Sequence, residues 1–217
     1  MRWPATPNFT AIADEWQKEA SIILSSFIWE AYDLLKIEVL DQINSEQNEA
    51  ELERCVTQLL EARIQRVMSG DEPFYVQHGA YEYETRKGAP AQPPEYDIAF
   101  VLNDNARVMW PCEAKVLRTD GSLAEYIHDI QDEFLTCRYA PFSSEGAMLG
   151  YLFSGSPTTV FDNIEKKVPC KLSPFSLPPG RAQKYSDHIR MVRIGKAYPA
   201  HFRCQHLILQ IPGEERN

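Results

Sequence analysis

Two carboxylates and a lysine carry the clearest chemistry in this 217-residue chain. Asp97 falls early in the apolar run Tyr96-Asp97-Ile98-Ala99-Phe100-Val101-Leu102, and Glu113-Ala114-Lys115 closes a second run that begins at Ala106 and ends at Val116. The turn formers Asn103-Asp104-Asn105 separate the two, which makes them the arms of a β-hairpin. Alternation along a strand sets Glu113 and Lys115 on one face and Ala114 on the other. With the turn centred on Asp104, position 97 pairs near position 111 and lies across from, or diagonal to, Glu113. Charged groups among Ile98, Phe100, Val108 and Met109 are costly to bury unless something compensates them. A hard divalent cation is the obvious compensation for Asp97 and Glu113, because Mg²⁺ takes a few carboxylates and keeps water. Lys115 would then orient or deprotonate an attacking water, or stabilise charge building on a phosphate. The plainer alternative is a Glu113–Lys115 ion pair on a solvent face, against which the aspartate on the facing arm argues. As a surface lysine, Lys115 would contribute little to folding.

The elements that must position these residues follow from periodicity. Residues 10–43 repeat apolar side chains (Ile12, Trp16, Ala20, Ile23, Leu24, Phe27, Ala31, Leu34, Leu35, Val39) at three- and four-residue steps, with Thr10 or Asp14 available as a cap. Ile22, Ile28, Trp29 and Tyr32 widen that stripe, so the helix either docks on its own domain or packs against a partner chain. A second helix opens at Ser45 and carries Leu52, Val56, Leu59, Leu60, Ile64 and Val67 to the stop at Ser69-Gly70. Phe74–Val76 and Tyr81–Thr85 read as one strand or a bent hairpin ahead of the central one. A third helix spans 123–139, and the apolar run Gly146–Phe153 reads as a buried central strand. A short helix follows from Ser156-Pro157 to about Lys167, residues 169–185 read as irregular, and Gln205–Ile211 forms a last strand. The order is α-α-β-β-β-α-β-α-loop-β, a mixed sheet flanked by helices.

Composition excludes several classes. No apolar run approaches the roughly 20 residues of a membrane-spanning helix, and the first residues lack the order of a secretory signal. Five scattered cysteines without a CxxC pair suit reduced thiols in a cytoplasm. Cys204, His201 and His206 lack the spacing of a zinc site, and neither GxGxxG nor GxxxxGK[ST] is present. The net charge of −9 is unevenly spread: residues 1–72 hold 6 basic and 14 acidic side chains. Residues 171–204 hold Lys171, Arg181, Lys184, Arg190, Arg193, Lys196 and Arg203 against Asp187 alone, enough to offer a phosphate backbone one positive face.

Pro94-Glu95-Tyr96-Asp97 followed by Trp110-Pro111-Cys112-Glu113-Ala114-Lys115 resembles the signature of the PD-(D/E)XK nuclease superfamily, and the order of elements over residues 46–155 is similar to its αβββαβ core. Tyr96 stands where that family often has proline, and the Gln-x-x-x-Tyr helix motif of one branch is absent, since Leu135 stands fourth after Gln131. The resemblance implies an α/β, restriction-endonuclease-like mixed sheet with an N-terminal helical extension. It implies Mg²⁺-dependent phosphodiester hydrolysis, with Mn²⁺ as a substitute, Asp97 and Glu113 as ligands and Lys115 positioning the water. The family's extra acidic residue on the first core helix, a further metal ligand, would fall among Glu49, Glu53 and Glu61. Glu53, on the stripe of Val56, Leu60 and Ile64, fits best.

Gln131 and Arg138 on the following helix, with His188 and Arg190 near the basic segment, are the candidate substrate contacts. Residues 1–44 then form an amphipathic segment able to dock a partner protein or a second copy through 10–43. Residues 45–217 form the nuclease-like core, ending in the basic segment 171–204. The expected function is a cytoplasmic nuclease, acting on DNA in preference, as one component of a bacterial anti-phage defence or DNA-processing complex. A silent nuclease-like scaffold and a small-nucleotide phosphoesterase are the competing classes.

Overall fold

The computed structural model describes residues 7–88, 91–175 and 179–211, with side chains in the first helix from Ser21 onward. That helix, α1 (Pro7–Glu38), starts early enough to enclose Thr10 and Asp14, so neither caps it. From its second half Leu24, Ile28, Trp29, Ala31, Tyr32 and Leu35 are buried at the spacing of one helical face. The side chains of Ile12, Trp16 and Ala20 lie outside the described residues. Helix α2 (Glu49–Val67) begins later than Ser45, because Asn48 is its cap: the Asn48 carboxamide oxygen accepts the Glu51 N–H at 2.9 Å.

Strands β1 (Phe74–Tyr81), β2 (Glu95–Leu102) and β3 (Asn105–Leu117) form an antiparallel meander. Strand β4 (Glu145–Leu152), buried along its whole length, joins β3 in parallel. Beyond it come β7 (His201–Gln210), β6 (Gln183–Ile189) and the two-residue β5 (Ser173–Pro174), giving a seven-stranded sheet ordered β1-β2-β3-β4-β7-β6-β5. Helices α1 and α2 cover one face. Helices α3 (Ala124–His128) and α4 (Pro157–Lys167) cover the other. The protein is therefore α/β with a mixed sheet between helical layers. The buried part of α1 is continuous with this core. Trp29 Nε1 donates to Gln183 Oε1 at 2.7 Å, and Asp33 pairs with Arg181. This half of the expected partner-docking segment is packed on its own chain, with Ile22 and Ile23 left outward.

Two expectations need correction. The segment expected to be irregular contains β5 and the start of β6. Strand β6 escapes an apolar-alternation reading because Gln183, Ser186 and His188, which it buries, are polar. The helix expected over 123–139 is α-helical only to His128. A π-helical turn follows over Asp129–Phe134, with the Leu135 N–H reaching the Ile130 carbonyl at 2.9 Å, and the chain then leaves the helix. Cys137 and Ala140 adopt φ of 59° and 49°, a left-handed conformation that costs a residue bearing a Cβ.

Arg190 holds that segment. It is only 4% exposed. Its guanidinium donates to the carbonyls of Phe134 (3.0 Å), Ser143 (2.8 Å), Tyr139 (2.8 Å) and Ala140 (2.8 Å). Arg190→Met should lower the free energy of unfolding by about 3 kcal/mol, since it orphans several buried carbonyls at once. Urea unfolding of the two proteins measures this, and a midpoint unchanged in the variant would show the segment to be held by other contacts.

Candidate active site

The site begins where β3 changes neighbours. Pairing of β2 with β3 stops at Ile98↔Cys112, while β2 stays paired with β1 as far as Tyr81↔Glu95. Pairing of β3 with β4 starts at Cys112↔Ala147 and runs to Leu117↔Leu152. Strand β2 thus peels away from β3 and leaves a fork between them. Continuing the observed register sets Asp97 opposite Glu113, two positions from the pairing expected from the turn.

Peeling exposes the edge of β3, and buried edge groups must find partners. Asp97 Oδ2 accepts the Ala114 N–H at 2.8 Å. Lys115 Nζ donates to the Ala114 carbonyl at 2.7 Å. The Glu53 carboxylate, arriving from α2, is hydrogen-bonded by the Val116 N–H. The three side chains therefore replace the ladder that β2 no longer supplies.

The electrostatics of this fork are unbalanced. Lys115 lies 3.0 Å from Asp129 Oδ2 and 3.5 Å from Glu53 Oε1. Asp97 and Glu113 stand close enough to act on the same charges. Four carboxylates thus face one ammonium. Glu113 is 3% exposed, and burial followed by repulsion from Asp97 pushes its carboxyl far above the usual range. Burial raises Glu53 to about 7, and raises Asp129 too. The surrounding carboxylates outweigh burial at Lys115 and hold its ammonium charged far into the alkaline range. Its charge and its place between the acids suit orientation of a ligand and stabilisation of negative charge. The lysine is also not a surface group, because its side chain is 16% exposed and keeps four acids apart.

A divalent cation fits this donor set. Glu113 Oε1 is buried with no hydrogen-bond partner, beside Asp97, and such an oxygen is what a hard cation satisfies. Among the described residues no three carboxylate, imidazole or thiol groups are spaced to enclose a metal ion. Asp97 and Glu113 would hold it, with water and a substrate oxygen filling the remaining positions, the pattern Mg²⁺ favours.

The other expected site residues divide. Glu53 reaches the fork, whereas Glu49 faces Arg118 at 3.7 Å and Glu61 bonds to Gln65. Arg138 sits on the rim, paired with Glu133 and within electrostatic reach of Asp129. Gln131 turns away and donates to the Lys167 carbonyl at 3.4 Å. His188 and Arg190 are interior groups, not substrate contacts. His188 Nε2 bonds to Ser186 Oγ at 2.6 Å, Ser186 bonds onward to His206 at 2.8 Å, and His206 meets Tyr126 at 3.0 Å. Burial holds His206 at about 3, so this chain stays neutral. Arg190 is spent on carbonyls.

Much of the basic segment is likewise neutralised internally, by Arg181–Asp33, Lys196–Glu84 and Arg203–Asp187. Asp129 was missed, because helical periodicity gives it no special place; it stands where α3 passes into the π-helical turn, 3.0 Å from Lys115. No protein-family model matches the chain, and no curated protein or solved structure matches it.

The raised carboxyl of Glu53 makes a prediction with a definite sign. Its folded pKa lies above its unfolded value, so the folded state binds the extra proton. Its contribution is fully present below the unfolded pKa and is lost as pH rises through about 7. In chelator, Glu53→Gln should therefore exceed the wild type in stability by about 2 kcal/mol near pH 8, with the difference closing near pH 5. Glu82, raised to about 7 by burial, adds a slope of the same sign to both proteins and cancels in the difference. Urea midpoints at several pH values test this; a variant weaker than the wild type at pH 8 would make Glu53 a net stabilising partner of Lys115.

Proposed function

We propose that the chain is a metal-dependent nuclease that hydrolyses phosphodiester bonds, with DNA as the favoured substrate. The observation that carries this reading is the fork itself: a buried, unpartnered Glu113 oxygen beside Asp97, with an ammonium held two residues away on the same strand. Asp97 and Glu113 would hold Mg²⁺, or Mn²⁺ in its place. When bound, the ion supplies a lowered water pKa and stabilises charge on phosphoryl oxygens.

The remaining steps belong to the chain's own groups. Asp97 is fixed by the Ala114 amide, so its second oxygen has a set direction into the fork. Lys115, tethered by Asp129 and by its neighbour's carbonyl, holds a positive charge where a pentavalent phosphate builds negative charge. Arg138 on the rim supports a flanking phosphate in the same reading. Service as one component of a defence or DNA-processing assembly rests on the outward Ile22 and Ile23 of α1.

Cleavage of single- and double-stranded DNA and RNA, with Mg²⁺ or Mn²⁺ against chelator, tests the proposal. The wild type should cut only with metal. Asp97→Asn and Lys115→Ala should lose at least a hundredfold in rate, in the range for a single group stabilising transition-state charge. Because Lys115 separates four acids, its variant needs a thermal melt alongside, and Asp97→Asn, which removes a charge from the crowd, should stay folded. Mg²⁺ should raise the melting temperature of the wild type but not of Asp97→Asn. Metal-independent stability together with no cutting would favour the silent scaffold.

A further inference from the structure

We infer that the loop joining β6 to β7 is a wedge that enters the base stack of a DNA duplex beside the fork. Ile189 and Met191 are about two-thirds exposed and Ile194 is fully exposed, three large apolar side chains within six residues. Ile194 occupies the second position of a tight turn. The Lys196 N–H closes it onto the Arg193 carbonyl at 3.1 Å, and Gly195 at φ 81° takes the third position.

The loop is held rigid from both ends. Arg190 carries its four carbonyl bonds at the base, the Met191 N–H donates to the Leu135 carbonyl at 2.8 Å, and the Arg190 N–H donates to Ala200 at 2.8 Å. On the return, Lys196 and Tyr198 both bond to Glu84, at 2.7 and 3.0 Å. A rigid turn that keeps an isoleucine in water is unfavourable for the free chain, because a looser loop would fold it inward.

Position and charge select the occupant. The loop base is tied to Tyr139, whose ring packs edge-on against that of Tyr96 at 5.4 Å, so the loop springs from beside the strand that carries Asp97. From His188 to Arg203 the chain has no carboxylate, within a protein of net charge −9, and Arg193 stands exposed at the corner beside Ile194. An apolar tip with a flanking cation suits insertion between base pairs while the cation meets a phosphate. A protein partner would need about 1,200 Å² or more of buried surface, which one turn tip does not supply.

The inference rests on the fork being a phosphodiester site, so its test avoids cleavage. The full chain is mixed, in chelator, with a short DNA duplex carrying a fluorescent adenine analogue that brightens on unstacking. The wild type should bind and brighten it. Met191→Ser with Ile194→Ser, both exposed and so harmless to folding, should lose most of the brightening at saturating protein. Arg193→Gln should reduce the salt slope of binding by about one. Equal brightening by the double variant overturns the wedge, as does wild-type binding without brightening or no binding at all. Metal-dependent cutting without brightening sinks the wedge alone; loop-dependent brightening without cutting keeps the wedge and sinks the nuclease.

Discussion

The separation of β2 from β3 after Ile98↔Cys112 is the constraint on which the site depends. Had the ladder continued, the Ala114 and Val116 amides would have been met by backbone, and Asp97 and Glu113 would have been an ordinary cross-strand pair of like charges, which repel. Because β2 stays with β1, the β3 edge is met by carboxylates instead. The geometry of Asp97 and Glu53 is therefore fixed by main-chain amides, which do not depend on a bound ion for their positions. That is preorganisation in its simplest form: the scaffold has already oriented the donors.

The same arrangement is poor for stability. Four carboxyl groups crowd one lysine, so that burial and mutual repulsion push Glu113 up, and Glu113 keeps a buried oxygen without a partner. An isolated structural ion pair would pair one acid with the lysine and stop there. Groups that destabilise a fold and gather in one place mark a candidate functional site.

What could be read from sequence was what obeys local rules. The hairpin was legible from its turn cluster, β4 from an unbroken apolar run, and α4 from Ser156-Pro157, where the Ser156 hydroxyl does accept the Thr159 N–H. That Asp97 meets Glu113 and Lys115 was legible from alternation together with the place of the turn. The register was off by two positions, because the irregularity between Val101 and Leu102 takes up extra residues of β3 between Asn105 and Met109. What escaped was set by distant partners. Gln183 and Ser186 are buried because Trp29 and His206 bond to them, and Arg190 is interior because four carbonyls from residues 134–143 converge on it. No property of Arg190 as a residue separates it from a phosphate-binding arginine; only its surroundings do.

That last point alters the electrostatic argument for a nucleic-acid partner. The basic segment looks, as a string, like one positive face, yet Arg181, Arg190, Lys196 and Arg203 are each committed within the fold. Lys184 is half-buried with its ammonium over the Phe161 ring, and the exposed cations Lys171 and Arg193 lie far apart in the chain. Long-range attraction of an acidic protein to a polyanion is then weak, because each missing phosphate contact removes a share of the counterion release that drives binding. A fork built to act on phosphodiesters in such a chain needs contacts that are short-ranged and indifferent to salt. Stacking or insertion at an apolar tip is one such contact, and delivery of the substrate by a protein seated on α1 is the other.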